Sequence, residues 1–139
     1  MTVPPAPPSA GTARARRALV VDDEPYIRRA IQRFFHRLGW EVDEAADGEA
    51  GLALLLGAGV GPYDVIISDL KMPGMSGEEF YERVAAQRPT QAARVVVTTG
   101  DPFAPEAAHF LTRTGCAVLN KPFELAELRA VVERVAGQA

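Results

Sequence analysis

Residues 64–77 read Asp64-Val65-Ile66-Ile67-Ser68-Asp69-Leu70-Lys71-Met72-Pro73-Gly74-Met75-Ser76-Gly77. Three consecutive β-branched apolar residues predict a strand buried on both faces. The strand runs out in a hydroxyl and a carboxylate, and Met72-Pro73-Gly74 turns the chain directly afterwards. From Gly77 to Gln87, Phe80, Val84 and Ala85 recur at helical spacing. A continuously apolar strand leading into an amphipathic helix is the unit of a parallel sheet with helices on its faces.

The unit recurs on both sides of this stretch. Upstream, Ala18-Leu19-Val20-Val21 is a short apolar strand. The helix that follows, Pro25 to Leu38, carries Ile27, Ala30, Ile31, Phe34, Phe35 and Leu38 on one face, with a proline in its first turn and Gly39 as its stop. Trp40 to Ala45 alternates weakly and predicts a second strand. Asp47 caps an apolar helix running to Leu56, where a Gly-rich stretch ends it. Downstream, Arg94 to Thr99 and Cys116 to Asn120 predict strands, and Pro105 to Arg113 and Glu124 to Ala136 predict helices. Five strand–helix units with short links predict a doubly wound α/β fold with a parallel sheet covered on both faces. There is no internal repeat beyond this alternation, and Leu52, Leu54, Leu55 and Leu56 read as core packing.

The chain of 139 residues, 47% hydrophobic and 24% charged, is the size and composition of one globular domain. Such a chain buries roughly 70% of the surface it exposes when unfolded. No apolar run reaches the roughly 18–20 residues of a membrane span, and the N-terminus lacks the apolar centre of a secretory signal. The single cysteine, Cys116, excludes an internal disulfide and predicts a reducing, cytoplasmic setting. His36 and His109 are isolated, so no zinc spacing is present. All 18 acidic residues lie beyond Arg17, and an acidic body argues against direct nucleic-acid binding. Residues 1–16 hold Pro4, Pro5, Pro7, Pro8, Gly11 and scattered Ala and Arg, and predict a disordered leader. A basic docking arm built on Arg14, Arg16 and Arg17 is the alternative. The expected organisation is thus a leader at 1–16, a folded domain at 17–136 and a tail at 137–139.

In a doubly wound sheet, ligands bind outside the carboxyl ends of the strands. The first strand ends in Asp22-Asp23-Glu24, the third in Ser68-Asp69, the fourth in Thr98-Thr99-Gly100-Asp101 and the fifth in Asn120-Lys121-Pro122. Carboxylates gathered at one edge repel one another and raise one another's pKa unless a divalent cation joins them. Oxygen-only ligands suit Mg²⁺. A lysine and a hydroxyl beside that cation describe a clamp for a phosphoryl group. Asp69, between an apolar strand and a Pro/Gly turn, is the carboxylate placed to accept that group as an acyl phosphate. Acid pairs, Lys-Pro steps and strand-terminal threonines are each common in solvated loops; here they fall together on the ends of one sheet.

Val20-Val21-Asp22-Asp23-Glu24-Pro25, the stretch 64–77, Thr99-Gly100 and Lys121-Pro122-Phe123 together resemble the receiver domain of two-component response regulators. Order and spacing agree from about Arg17 to Val135, and Phe110 to Phe123 is also similar to the fused receivers of hybrid sensor histidine kinases. The resemblance implies a flavodoxin-like, five-stranded parallel fold with strand order 2-1-3-4-5. It implies that Asp69 takes a phosphoryl group from a phosphohistidine of a sensor histidine kinase or phosphotransfer protein. It also implies that Asp23, Asp69 and the backbone carbonyl of Lys71 ligate Mg²⁺, with Asp22 acting through water. Thr99 would bond one phosphoryl oxygen and Lys121 another. Thr98 competes for the hydroxyl role, but side chains alternate along a strand and the Thr-Gly register selects Thr99. Lys121-Pro122 would be a cis peptide.

The expected function is a stand-alone phosphoryl acceptor that signals to a downstream protein or to itself. Its only chemistry would be self-phosphorylation and self-dephosphorylation, so it is not expected to be an enzyme. Neither nucleic acid nor membrane is an expected partner. Haloacid-dehalogenase-type phosphatases share an Asp nucleophile, Mg²⁺, a Thr/Ser and a Lys, but need an acid where this chain has Lys71. A phosphorylation-independent interaction domain is the other alternative. It draws on Val118, which stands where many receivers carry a switching aromatic residue. Two positions flanking the acceptor, Lys71 and Asp101, have opposite charge and are expected to pair across the site mouth. Arg28, Arg29, Arg33 and Arg37 lie on the first helix and read as a solvated face; a kinase-docking surface, which that helix supplies in the family, is the alternative.

Overall fold

The computed structural model describes residues 15–57 and 62–137. Within them run β1 (Arg17–Val21), α1 (Pro25–Arg37), β2 (Glu41–Ala45), α2 (Gly48–Leu56), β3 (Val65–Asp69), α3 (Gly77–Gln87), α4 (Pro89–Ala92), β4 (Val95–Thr99), α5 (Pro105–Thr114), β5 (Ala117–Asn120) and α6 (Leu125–Ala136). All strand pairs are parallel, in the order β2-β1-β3-β4-β5. The order reverses between β1 and β3, which opens a crevice above their carboxyl ends.

The strands divide their side chains between two cores. Leu19, Val21, Ile66, Val95 and Val97 face α2, α3 and α5, where they meet Leu55, Phe80, Val84 and Phe110. Ala18, Val20, Val65, Ile67 and Val96 face α1 and α6, where they meet Ile31, Phe35, Leu128, Val131 and Val132. This two-sided burial is why β1, β3 and β4 read as unbroken apolar runs. β2 lies at an edge of the sheet and is charged at Glu41, Asp43 and Glu44, which explains its weak alternation.

Local chemistry sets the helix ends. The Asp47 carboxylate accepts the Ala50 N–H at 2.8 Å and starts α2, and the Ser76 hydroxyl accepts the Glu79 N–H at 3.1 Å and starts α3. Glu124 and Glu127 form a reciprocal capping box on α6. Gly115 ends α5 at φ 66, in the left-handed region that glycine adopts without strain.

The structure adds one element that the sequence reading passed over. α4 is a single turn after α3, opened by Pro89, and it buries Gln91 and Ala92. The Gln91 amide accepts the Tyr63 N–H at 2.8 Å and donates to the Tyr63 carbonyl at 2.9 Å, like a neighbouring strand. Four residues are too few for a periodicity signal. The alternative of a basic arm is corrected at its inner end. Arg17 opens β1 and bridges Glu41 and Asp43, and Arg16 lies 5.6 Å from the Trp40 ring centroid. Those acids and that ring come from β2 and its approach, which the linear reading did not place beside β1. The rest of the predicted leader, 1–14, and the tail beyond Gly137 lie outside the described residues.

Candidate functional site

The carboxyl ends of β1, β3, β4 and β5 form one edge, and the predicted site residues meet there. Asp22 directly follows β1 and is 2% exposed; Asp69 ends β3 and is 8% exposed. Asp23, next in the chain, is exposed. One carboxylate oxygen from each of Asp22, Asp23 and Asp69 lies within 4.8 Å of the others. Lys121, just past β5, places its ammonium 3.2 Å from Asp22 Oδ2, 3.1 Å from Asp69 Oδ2 and 3.7 Å from Glu24 Oε1. Its backbone N–H donates to the Thr99 carbonyl at 2.8 Å, and the Lys121–Pro122 peptide is cis.

The two remaining site residues flank a cleft of about 420 Å³ that opens beside Asp69. Thr99 lines it from the end of β4, and its hydroxyl accepts the Asp101 N–H at 3.2 Å. Lys71 lines it from the turn after β3, and its N–H donates to Asp69 Oδ1 at 3.3 Å. Thr98 points to the other face, as strand alternation requires, and does not line the cleft. A larger hollow of about 620 Å³ lies at the opposite edge of the sheet around Cys116, and it is lined by no carboxylate.

The electrostatics follow from burial and partners. Burial pushes the Asp69 carboxyl above its ordinary pKa; Lys121 opposes the shift and the neighbouring Asp22 adds to it. Burial alone would lower the Lys121 pKa, but Asp22 and Asp69 more than reverse this, and it stands above its ordinary value. The cluster offers only oxygen donors, two of them on buried carboxylates, which is the donor chemistry of a hard divalent cation such as Mg²⁺.

Two expected features take a different form. Among the described residues, no ion pair joins Lys71 to Asp101. The Asp101 carboxylate instead accepts the Phe103 N–H at 3.1 Å and closes a turn in its own loop, while Lys71 is exposed. Arg28 does not share the solvated face of Arg29, Arg33 and Arg37, which are exposed. Its guanidinium reaches the Asp22 carbonyl at 2.6 Å, a contact no helical-face argument reveals because its partner lies before the helix. Val118 is half-buried and packs against the core under α2, α3 and α5.

A doubly wound parallel sheet with clustered carboxylates, a lysine and a hydroxyl at its carboxyl edge defines an acidic-cleft α/β domain. The family described as response regulator receiver domain matches residues 18–133, and the chain belongs to that family. It is 31% identical over 124 residues to a probable chemotaxis protein CheY of Rhizobium etli, covering 87% of this chain and 92% of that protein. It is 32% identical to the transcriptional activator protein PfeR of Pseudomonas aeruginosa, covering 82% of this chain but only 35% of that protein. Among solved structures, it resembles chemotaxis protein CheY4 of Vibrio cholerae with a TM-score of 0.76 at 33% identity, covering 88% of this chain and 99% of that one. It also resembles the receiver domain of the sensor histidine kinase PA1611 of Pseudomonas aeruginosa, with a TM-score of 0.73 at 25% identity, covering 89% and 99%. That structure has a magnesium ion coordinated in the active-site cleft. No helix among the described residues is long and apolar enough to cross a membrane.

Proposed function

We propose that this domain, spanning residues 17–136, accepts a phosphoryl group on Asp69 from the phosphohistidine of a sensor histidine kinase or phosphotransfer protein. The observation that carries the reading is the convergence of Asp22, Asp23 and Asp69 oxygens within 4.8 Å, with the Lys121 ammonium on two of them.

Asp23, Asp69 and the Lys71 carbonyl would hold Mg²⁺, with Asp22 acting through water. When bound, the ion supplies charge that neutralises the oxygens of the transferring phosphoryl group. An Asp69 carboxylate oxygen attacks phosphorus in line with the departing imidazole nitrogen. The new P–O bond makes an acyl phosphate, and the P–N bond breaks with its electron pair left on the imidazole. Lys121 gives up a carboxylate contact to pair with one phosphoryl oxygen, and the Thr99 hydroxyl turns to donate to another. Hydrolysis of the acyl phosphate returns free Asp69, so the domain is a self-resetting acceptor. The consequence is a population shift at the surface of α5, β5 and α6, read by a downstream protein or a second copy.

Intact mass after incubation with a small-molecule phosphodonor and Mg²⁺ tests the reading. The wild type is expected to gain one phosphoryl group, and neither the metal-free protein nor Asp69→Asn is. No gain in folded wild type at saturating Mg²⁺ would favour the phosphorylation-independent interaction domain, which the half-buried Val118 keeps as the second reading.

A further inference from the structure

Arg28 lies in the first turns of α1, and its side chain is 18% exposed. Nη1 donates to the Asp22 carbonyl at 2.6 Å, and Nε stands 3.6 Å from Glu44 Oε1 at the end of β2. That carbonyl belongs to the peptide joining Asp22 to Asp23. The rest of Asp22 is also held. Its N–H donates to the Ala45 carbonyl at 3.1 Å, its Oδ1 accepts the Glu24 N–H at 2.9 Å, and its Oδ2 faces Lys121. Every polar atom of Asp22 therefore has a protein partner, and Arg28 supplies the one that fixes the following peptide plane.

A planar peptide fixed at its carbonyl constrains ψ of Asp22 and φ of Asp23 together. Those angles set where the Asp23 side chain leaves the backbone. Asp23 is exposed, so packing does little to aim it. We propose that Arg28 is a positioning residue for the metal loop: it holds the Asp22–Asp23 peptide so that the Asp23 carboxylate converges on Asp69. It also brings a fixed positive charge to a loop with three consecutive acids, Asp22, Asp23 and Glu24. The role separates Arg28 from Arg29, Arg33 and Arg37, whose exposed side chains leave them for solvent or a partner. This inference rests on the Mg²⁺ reading above.

Partners that orient metal ligands typically change metal affinity 10- to 100-fold when removed. Calorimetric titration with Mg²⁺ alone tests the idea on the full chain. Arg28→Gln is expected to weaken Mg²⁺ binding by about 10-fold. Glu44→Gln removes the ion pair but leaves the carbonyl contact, and is expected to shift affinity less than about two-fold. Saturating Mg²⁺ should then restore the phosphoryl gain of Arg28→Gln from a small-molecule donor to the wild-type level. No kinase takes part, so a loss there cannot be a docking effect. Thermal unfolding in chelator shows that each variant is folded. If the Gln variant does not fold, Arg28→Lys, which keeps the charge but not the fork, is expected to lose affinity in the same direction. Wild-type Mg²⁺ affinity in a folded Arg28 variant would overturn the proposal. So would a phosphoryl gain that stays low at saturating Mg²⁺, which would place Arg28 in the chemistry instead. A wild type that binds no Mg²⁺ would overturn both this inference and the function beneath it.

Discussion

The Lys121 ammonium lies 3.1 Å from Asp69 Oδ2 and 3.2 Å from Asp22 Oδ2, so one cation holds two buried carboxylates. Without it, two like charges would face each other in a desolvated site. Lys121→Met is therefore expected to lower stability in metal-free buffer by roughly 3 kcal/mol, the cost of stranding a buried charge. The deficit should shrink as pH falls, because protonating Asp69 removes one of the two charges. Chemical denaturation at pH 7 and pH 5 measures it, and equal deficits at both would refute it.

Asp69→Asn should act in the opposite direction. The folded-state pKa of Asp69 lies above its unfolded value. The folded chain therefore binds the proton more tightly, and stability is lost as pH rises from the unfolded pKa through the folded one. Asparagine never ionises and escapes that loss. In chelator at pH 7, the variant is expected to melt above the wild type; a lower melting temperature would show that the charged Asp69 is net stabilising.

Gly77 starts α3 directly against the end of β3. A Cβ there would clash with the Asp69 carbonyl oxygen and lie 2.6 Å from Leu70 Cα. Both are backbone atoms and cannot swing aside, so α3 or the end of β3 must move. Gly77→Ala is expected to cost about 2–3 kcal/mol and to weaken phosphoryl acceptance by shifting Asp69. Denaturation midpoints and intact mass measure the two effects.

Thr98 is 1% exposed, and its hydroxyl has no hydrogen-bond partner among the described residues. A buried orphan hydroxyl typically costs about 1–3 kcal/mol. Valine has the same shape and already fills Val95, Val96 and Val97. Thr98→Val is expected to stabilise the domain by about 1 kcal/mol without changing phosphoryl gain. A destabilised variant would reveal a partner for the hydroxyl.

Cys116 is half-buried, its thiol donates to the Val95 carbonyl at 3.2 Å, and burial pushes its pKa up to about 12. The folded thiol keeps its proton where the unfolded one, near pKa 8.5, has lost it. Stability therefore falls as pH rises from about 8.5 towards 12, and Cys116→Ala should flatten part of that slope. Alkylation of the folded wild type at pH 8 is expected to run about three orders of magnitude slower than in denaturant. Comparable rates would show an accessible thiolate.

Much of the site was legible because its residues sit at strand ends, and strand ends are marked by where apolar runs stop. Val21 to Asp22, Ser68 to Asp69 and Leu119 to Lys121 are such transitions. Less legible were contacts between residues whose spacing carries no period. Arg28 reads as one of four helical arginines until the fold lays it against the Asp22 carbonyl. Asp101 reads as a counter-charge to Lys71, but a turn within its own loop captures its carboxylate. Gln91 sits in a turn too short to show a pattern, yet it closes the backbone at Tyr63.

The sequence alone determined the alternation of strands and helices, the burial of β1, β3 and β4 on both faces, and the motif set that marks the receiver family. These depend on local periodicity and on residue type at the ends of runs, both of which survive in one dimension. Tertiary structure decided which carboxylates share the Lys121 ammonium, which arginine meets the Asp22–Asp23 peptide, and that the Thr98 hydroxyl is left without a partner among the described residues. Each depends on strand register and on side chains from β1, β3, β4, β5 and α1 meeting within about 4 Å, a distance only the packed fold specifies.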